Sequence, residues 1–193
     1  LAHAFLAGDD PGMVLGGLLG DYVKGRLTRQ FEPEIMHGIR LHRWVDAYTD
    51  AHPVTRVSRN RFAPPWRRFA GIIVDVCYDH FLARHWPRFA DTPLDEFCER
   101  VYRILLDNHH RLPPRLQAFA PHMVGEHLLG AYRRLDAVER TLQRLSRRFK
   151  RPTDLSLAMA QVRCHYPRLE DDFLAFFPDV SRRSLIWAGG PCD

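Results

Sequence analysis

Proline punctuates this chain at intervals that suit helices and little else. Pro11, Pro33, Pro53, Pro64-Pro65, Pro87, Pro93, Pro113-Pro114, Pro121, Pro167 and Pro178 cut it into segments of helix length. Proline has a fixed φ and no N–H, so it is at home in the first turn of a helix and disruptive further in. Between these points apolar residues recur every three to four positions. Leu94, Phe97, Val101, Ile104 and Leu105 are the clearest run, and that period belongs to a helix with one buried face. Alternating runs and Asn-Gly hairpins are absent, so strand signals are lacking. The expectation is a single all-α domain over residues 1–193.

The spacing predicts helices over about 11–25, with Asp10 as its cap, then 33–49, 53–61 and 67–84. A further helix starts at Thr92-Pro93, where Thr92 and Asp95 have the spacing of a capping box, and ends at Pro113-Pro114. Later ones fall at about 121–133, 136–149, 154–163 and 167–176, with a short turn after Pro178. The tail from Gly189 is rich in helix breakers and is expected to be loose.

At 193 residues with 46% hydrophobic and 26% charged residues, the chain has ordinary globular composition. It is long enough to hold a core without disulfides. No apolar run reaches the length a bilayer requires, and the start has no basic region followed by a cleavage motif. No secretory leader or membrane span is therefore expected. Cys77, Cys98, Cys164 and Cys192 form no CxxC pair and are expected to be buried thiols in a cytoplasmic protein.

The net charge of +5 is unevenly spread. No acid lies between Asp50 and Asp75, a stretch that holds Arg56, Arg59, Arg61, Arg67 and Arg68. A second basic cluster runs from Arg133 through Arg147, Arg148, Lys150 and Arg151. Such patches attract acidic partners. Lysine occurs only at Lys24 and Lys150; the planar fork of arginine suits phosphate better.

Two segments carry chemistry. On a helix, Ile35, Ile39, His42 and Asp46 fall in one stripe with Asp50 at its edge, so an apolar face turns polar halfway along. In the second, Asp75 and Asp79 lie one turn apart among apolar neighbours, followed by His80. Like charges on a buried face repel unless a cation or proton lies between them. His42, Asp46, Asp75, Asp79 and His80, joined by Asp21, therefore suggest a shared metal ion. A nitrogen and oxygen set without thiolate suits Mn²⁺ or Mg²⁺, with Fe²⁺ or Zn²⁺ as alternatives. No P-loop, dinucleotide fingerprint or nucleophile elbow is present.

Several motifs together resemble the acyl carrier protein phosphodiesterase family. They are Leu1-Ala2-His3, the run Gly20-Asp21-Tyr22-Val23-Lys24-Gly25, and Leu41-His42-Arg43-Trp44-Val45-Asp46 with Thr49-Asp50 and His52-Pro53. Asp75 with Asp79-His80-Phe81-Leu82 completes them, and Ser146-Arg147-Arg148 and His165-Tyr166 add weaker matches. The resemblance implies a helical bundle related to the HD-domain phosphohydrolases and a divalent metal, Mn²⁺ above all. The implied activity is removal of 4′-phosphopantetheine from holo-acyl carrier protein in the cytoplasm. Asp79-His80 stands in the reverse of the usual His-Asp order, so ligands cannot be copied from ordinary HD enzymes.

On that reading some subset of Asp21, His42, Asp46, Asp75, Asp79 and His80 holds the metal. Arg43 clamps the phosphate, His80 protonates the leaving serine oxygen if it is not a ligand, and Asp50 accepts a proton from the attacking water. Arg56, Arg59, Arg61, Arg67, Arg68, Arg147 and Arg148 dock the acidic carrier. Two alternatives share parts of this pattern. An HD-like phosphohydrolase acting on a nucleotide would use the same metal. A non-enzymatic, basic nucleic-acid-binding module would explain the arginines and leave the acids unexplained.

Overall fold

A computed structural model describes residues 1–27, 30–147, 149 and 153–190. Among them the regular structure is entirely helical: α1 (Ala2–Leu6), α2 (Pro11–Leu19), α3 (Pro33–Ala51), α4 (Pro53–Asn60), α5 (Ala70–Arg84), α6 (Leu94–Asp107), α7 (Pro114–Gly125), α8 (Leu128–Ala131), α9 (Leu135–Ser146) and α10 (Met159–Ala188), joined in places by single 3₁₀ turns. Buried apolar residues from Leu1 to Val180 form one continuous cluster. No described helix is long and apolar enough to cross a membrane.

The crossing of α2 and α3 determines where the polar half of α3 lies. Asp10 caps α2 by accepting from Met13 N–H at 2.8 Å, and Pro33 opens α3. The two helices touch backbone to backbone at Gly16 and Gly38. A Cβ on Gly16 would stand 2.2 Å from the Ile35 carbonyl oxygen, and one on Gly38 would stand 2.3 Å from that of Met13. No side chain fits there, so glycine is what permits the approach.

The helix ends differ from the proline spacing in several places; α6, for one, ends at Asp107 and not at Pro113-Pro114. α2 stops at Leu19, well short of Gly25, because Tyr22 N–H and Val23 N–H both return to the Leu19 carbonyl. Thr92 and Asp95 form no capping box: α6 starts after Pro93 without a side-chain cap, and Asp95 instead pairs with Arg133. Pro121 lies inside α7 and does not open a helix. The break comes at His127, whose left-handed φ of 46° separates α7 from α8. α10 runs for 30 residues through Pro167 and Pro178. Each proline costs about 3 kcal/mol in a helix interior. Val162, Leu169, Phe173, Phe176, Phe177 and Val180 bury one stripe that spans both prolines, at about 1.5–3 kcal/mol per large apolar side chain, and burial wins.

The cysteines also divide. Cys77 and Cys98 are buried free thiols, whereas Cys164 is exposed. Burial pushes both buried thiols up to about 12. Cys192, Arg148, Lys150 and Arg151 lie outside the described residues.

Candidate metal centre

Three elements meet at the site. α1 brings His3, α3 brings His42 and Asp46, and α2 supplies the wall behind them. His42 is 4% exposed. Its Nδ1 lies 2.7 Å from the Gly17 carbonyl, which can only accept, so Nδ1 carries a proton and the neutral ring presents its Nε2 lone pair. That Nε2 faces Asp46 Oδ2 at 3.3 Å and Asp21 Oδ1 at 3.9 Å. His3 stacks on His42 with ring centroids 3.6 Å apart, and its Nε2 lies 3.2 Å from Asp46 Oδ1. A Cβ on Gly20 would stand 2.2 Å from the His42 ring, so the glycine at the end of α2 is the seat of that imidazole.

One donor atom from each of His3, His42 and Asp46 lies within 4.8 Å of the other two. His3 can satisfy Asp46 as a neutral ring that donates from Nε2–H, but the His42 Nε2 facing the same carboxylate needs positive charge. His42 can supply it only as an imidazolium, because its Nδ1 proton is already committed to Gly17. A cation would replace that proton and take the lone pairs directly. Among the described residues His3 Nδ1 is the buried side-chain polar atom with no hydrogen-bond partner, a further sign that the ring is held for something besides the protein. The donor set is nitrogen and oxygen without sulfur, and it fits a divalent cation of the Mn²⁺, Fe²⁺ or Zn²⁺ kind.

The electrostatics follow from the same contacts. Burial pulls the His42 pKa down, but its hydrogen bond to Asp46 and the charges of Asp46 and Asp21 outweigh that and leave it raised. Burial dominates at His3 and lowers it. Asp46 loses water too, yet hydrogen bonds from His3 and His42 hold its carboxyl well below the usual carboxylate range. Asp75 is exposed, and partial loss of water around its carboxyl, with the charges of Asp46, Asp79 and Asp50, raises it to about 7.

Of the other residues singled out by sequence, Asp21 borders the three at 3.9 Å from His42 Nε2, and the rest lie outside the group. Asp79 accepts hydrogen bonds from the backbone nitrogens of Leu1 and Ala2, both at 2.8 Å, and so anchors α1 rather than facing the imidazoles. Neither Asp79 nor Asp75 is within the 4.8 Å group. His80 has both ring nitrogens engaged: Nδ1 on the Tyr132 carbonyl at 2.6 Å and Nε2 on the Tyr166 hydroxyl at 2.7 Å. No nitrogen remains for a metal or a leaving group. Asp50 pairs with Arg59 at 2.7 Å. Arg43 donates to the carbonyls of Val23 and Gly25, each at 2.9 Å, and so fastens the turn that carries Asp21.

Among the docking candidates, Arg61 grips Asp172 with two bonds and Arg67 binds Asn60 and the Phe62 carbonyl. With Arg59 on Asp50, three of the seven have partners within the chain. Arg56, Arg68 and Arg147 are exposed, Arg68 lying over the Phe69 ring. His3 was absent from the candidate ligands, because no periodicity ties a five-residue helix to α3. The glycines at 16, 17 and 20 were the available sign that two elements press closely against α2.

These features define an all-α protein with a nitrogen–oxygen site of the kind divalent cations occupy. The family described as acyl carrier protein phosphodiesterase matches residues 1–180. Proteins of that name from Yersinia pestis and Klebsiella pneumoniae are each 34% identical, over 95% and 94% of this chain and 96% and 95% of their own lengths. One from Escherichia coli is 36% identical, over 96% of this chain and 98% of its own length. No solved structure matches. The chain belongs to the acyl carrier protein phosphodiesterase family, and it is a phosphodiesterase.

Proposed function

We propose that this chain hydrolyses the phosphodiester joining 4′-phosphopantetheine to an acyl carrier protein, leaving the apo-carrier. The observation that carries the mechanism is the convergence of His3 and His42 on Asp46 in a member of this family. His3, His42 and Asp46 are the residues that would hold a divalent cation, Mn²⁺ first and Mg²⁺ or Fe²⁺ next. Such an ion supplies Lewis acidity toward a phosphoryl oxygen and acidifies water. An HD-like helical arrangement fits this ligand chemistry.

The chain's own groups do the rest. The Gly17 carbonyl fixes the His42 tautomer, and second partners of this kind keep a ligand ring oriented. Arg43 holds the turn from Gly20 to Gly25, which keeps Asp21 beside the His42 ring. Asp75 lies close enough to feel the charges of Asp46 and Asp79 and is the proposed acceptor of a proton from the attacking water, since Asp50 is committed to Arg59. Arg56, Arg68 and Arg147 remain for docking an acidic carrier, and that docking weakens with salt. The buried, unpaired thiols Cys77 and Cys98 suit the cytoplasm.

The test is the intact mass of holo-acyl carrier protein after incubation with this protein, with Mn²⁺ and with EDTA. Loss of one phosphopantetheine group, with Mn²⁺ only, is the expected result. An unchanged mass with metal present would overturn the reading.

A further inference from the structure

A second, basic recess shares no lining residue with the imidazole–carboxylate centre. His80, Arg84, Arg133, Leu135, Arg163 and Tyr166 line a cleft of about 470 Å³. His80 and Arg84 are one turn apart on α5, and Arg163 and Tyr166 are three residues apart on α10, so each pair shares a helix face. Arg133 and Leu135 enter from the start of α9. Among the described residues no carboxylate and no member of the His3–His42–Asp46 group lines it.

We propose that this cleft binds a phosphate monoester carried on a small organic body. Three guanidinium groups surround one space, and each is held by a carboxylate from outside it. Arg84 Nε donates to Glu170 at 3.0 Å, Arg133 pairs with Asp95, and Arg163 reaches Glu139 at 3.4 Å. Each contact uses one of the five N–H donors a guanidinium carries. The carboxylates therefore aim the forks and leave donors for an anion, and planar forks favour phosphate. The volume exceeds what a bare phosphate ion fills and falls in the range of small-molecule sites. Leu135 and the ring of Tyr166 give it an apolar wall for an organic body. His80 is 2% exposed and bonded at both nitrogens, so the floor is fixed before any ligand arrives. Facing charges from the packed elements are Glu170 and His85, which are joined at 2.7 Å.

The site does not depend on which bond the protein hydrolyses, and the experiment needs no turnover. Calorimetric titration of the metal-loaded protein with 4′-phosphopantetheine, with a nucleoside monophosphate and with inorganic phosphate separates the sources. Saturable binding of one or both organic esters is expected, also in Asp46→Ala, and weaker by about tenfold or more in Arg133→Gln/Arg163→Gln. Both arginines are surface side chains, and an unchanged melting curve confirms that the double variant folds. Binding of phosphopantetheine alone supports the cleft as a product site, and binding of both esters supports a general phosphate-ester site. Binding lost in Asp46→Ala, undiminished in the double variant, or seen only with inorganic phosphate or with no probe, would overturn the proposal.

Discussion

His42 and His80 occupy nearly the same kind of place. They are 4% and 2% exposed, each on a long helix, and each with Nδ1 on a backbone carbonyl, that of Gly17 at 2.7 Å and of Tyr132 at 2.6 Å. They differ at Nε2. His42 faces the carboxylates of Asp46 and Asp21, and a second imidazole stacks on it. His80 meets a hydroxyl, Tyr166 at 2.7 Å, which satisfies it without charge. Negative charge at Nε2 makes one ring receptive to a cation. A neutral donor there makes the other a tie between α5 and α10. The pKa directions agree: net charge contacts raise His42, while burial first of all lowers His80.

The largest effect expected from this difference is at Asp46. Asp46→Ala removes the carboxylate both imidazoles share, and with it the metal. Loss of several kcal/mol of transition-state stabilisation corresponds to a rate fall on the order of a thousandfold. Metal content by mass spectrometry should fall with it, while the helical circular dichroism stays. Retained stoichiometric metal in a folded Asp46→Ala protein would dissolve the distinction between the two histidines.

Gly20→Ala acts on the same ring from behind. Its Cβ would stand 2.2–2.5 Å from three atoms of the His42 ring, so the ring or the end of α2 must move. Overpacking of this kind costs about 1–3 kcal/mol, and here it also displaces a ligand. Lower metal affinity together with a lower melting temperature is the expected result. A lower melting temperature with full affinity would show that the centre tolerates a shifted imidazole.

His80→Ala should have the opposite profile. It strands the Tyr132 carbonyl and the Tyr166 hydroxyl, at about 1–3 kcal/mol for a buried polar group left unpaired, and empties the volume of a ring. Denaturant unfolding should report that loss, with the bound metal content unchanged from that of wild type. A loss of metal would return His80 to the site.

These contrasts explain what could be read from the sequence. The all-α class followed from helical spacing and proline, which are local. His42 and Asp46 were visible because their relation is also local, one turn of α3. His3, by contrast, reaches the site through the packing of α1 on α2 and the anchoring of α1 by Asp79 across 78 positions, which no period records. Asp79, His80, Arg43 and Asp50 had suitable chemistry, but their partners were decided by tertiary structure: two backbone nitrogens, a tyrosine, two carbonyls and an arginine. Pro121, Pro167 and Pro178 misled for the same reason, since the burial that overrides them comes from other helices.

The smallest effect is the order in which the two rings titrate, and it bears most directly on the role of Nε2. In metal-free protein, His42 should take up its proton above 6.5 and His80 below it, followed by the imidazole resonances as pH falls. The stability signs are opposite. His42, raised in the folded state, contributes stability that is fully present below its unfolded pKa and is lost as pH rises through its folded pKa. His80, lowered, costs nothing above 6.5 and opposes folding as pH falls below it. His3 is lowered as well, so the bulk melting curve mixes the signs and only site-resolved titration separates them. Metal should compete with the His42 proton and be released only as pH falls below the metal-free value, leaving the His80 resonance where it was. If His80 titrates first, or shifts when metal binds, then the hydroxyl at its Nε2 does not insulate it from the centre. The carbonyl contacts that the two rings share would then matter more than the Nε2 partners that set them apart.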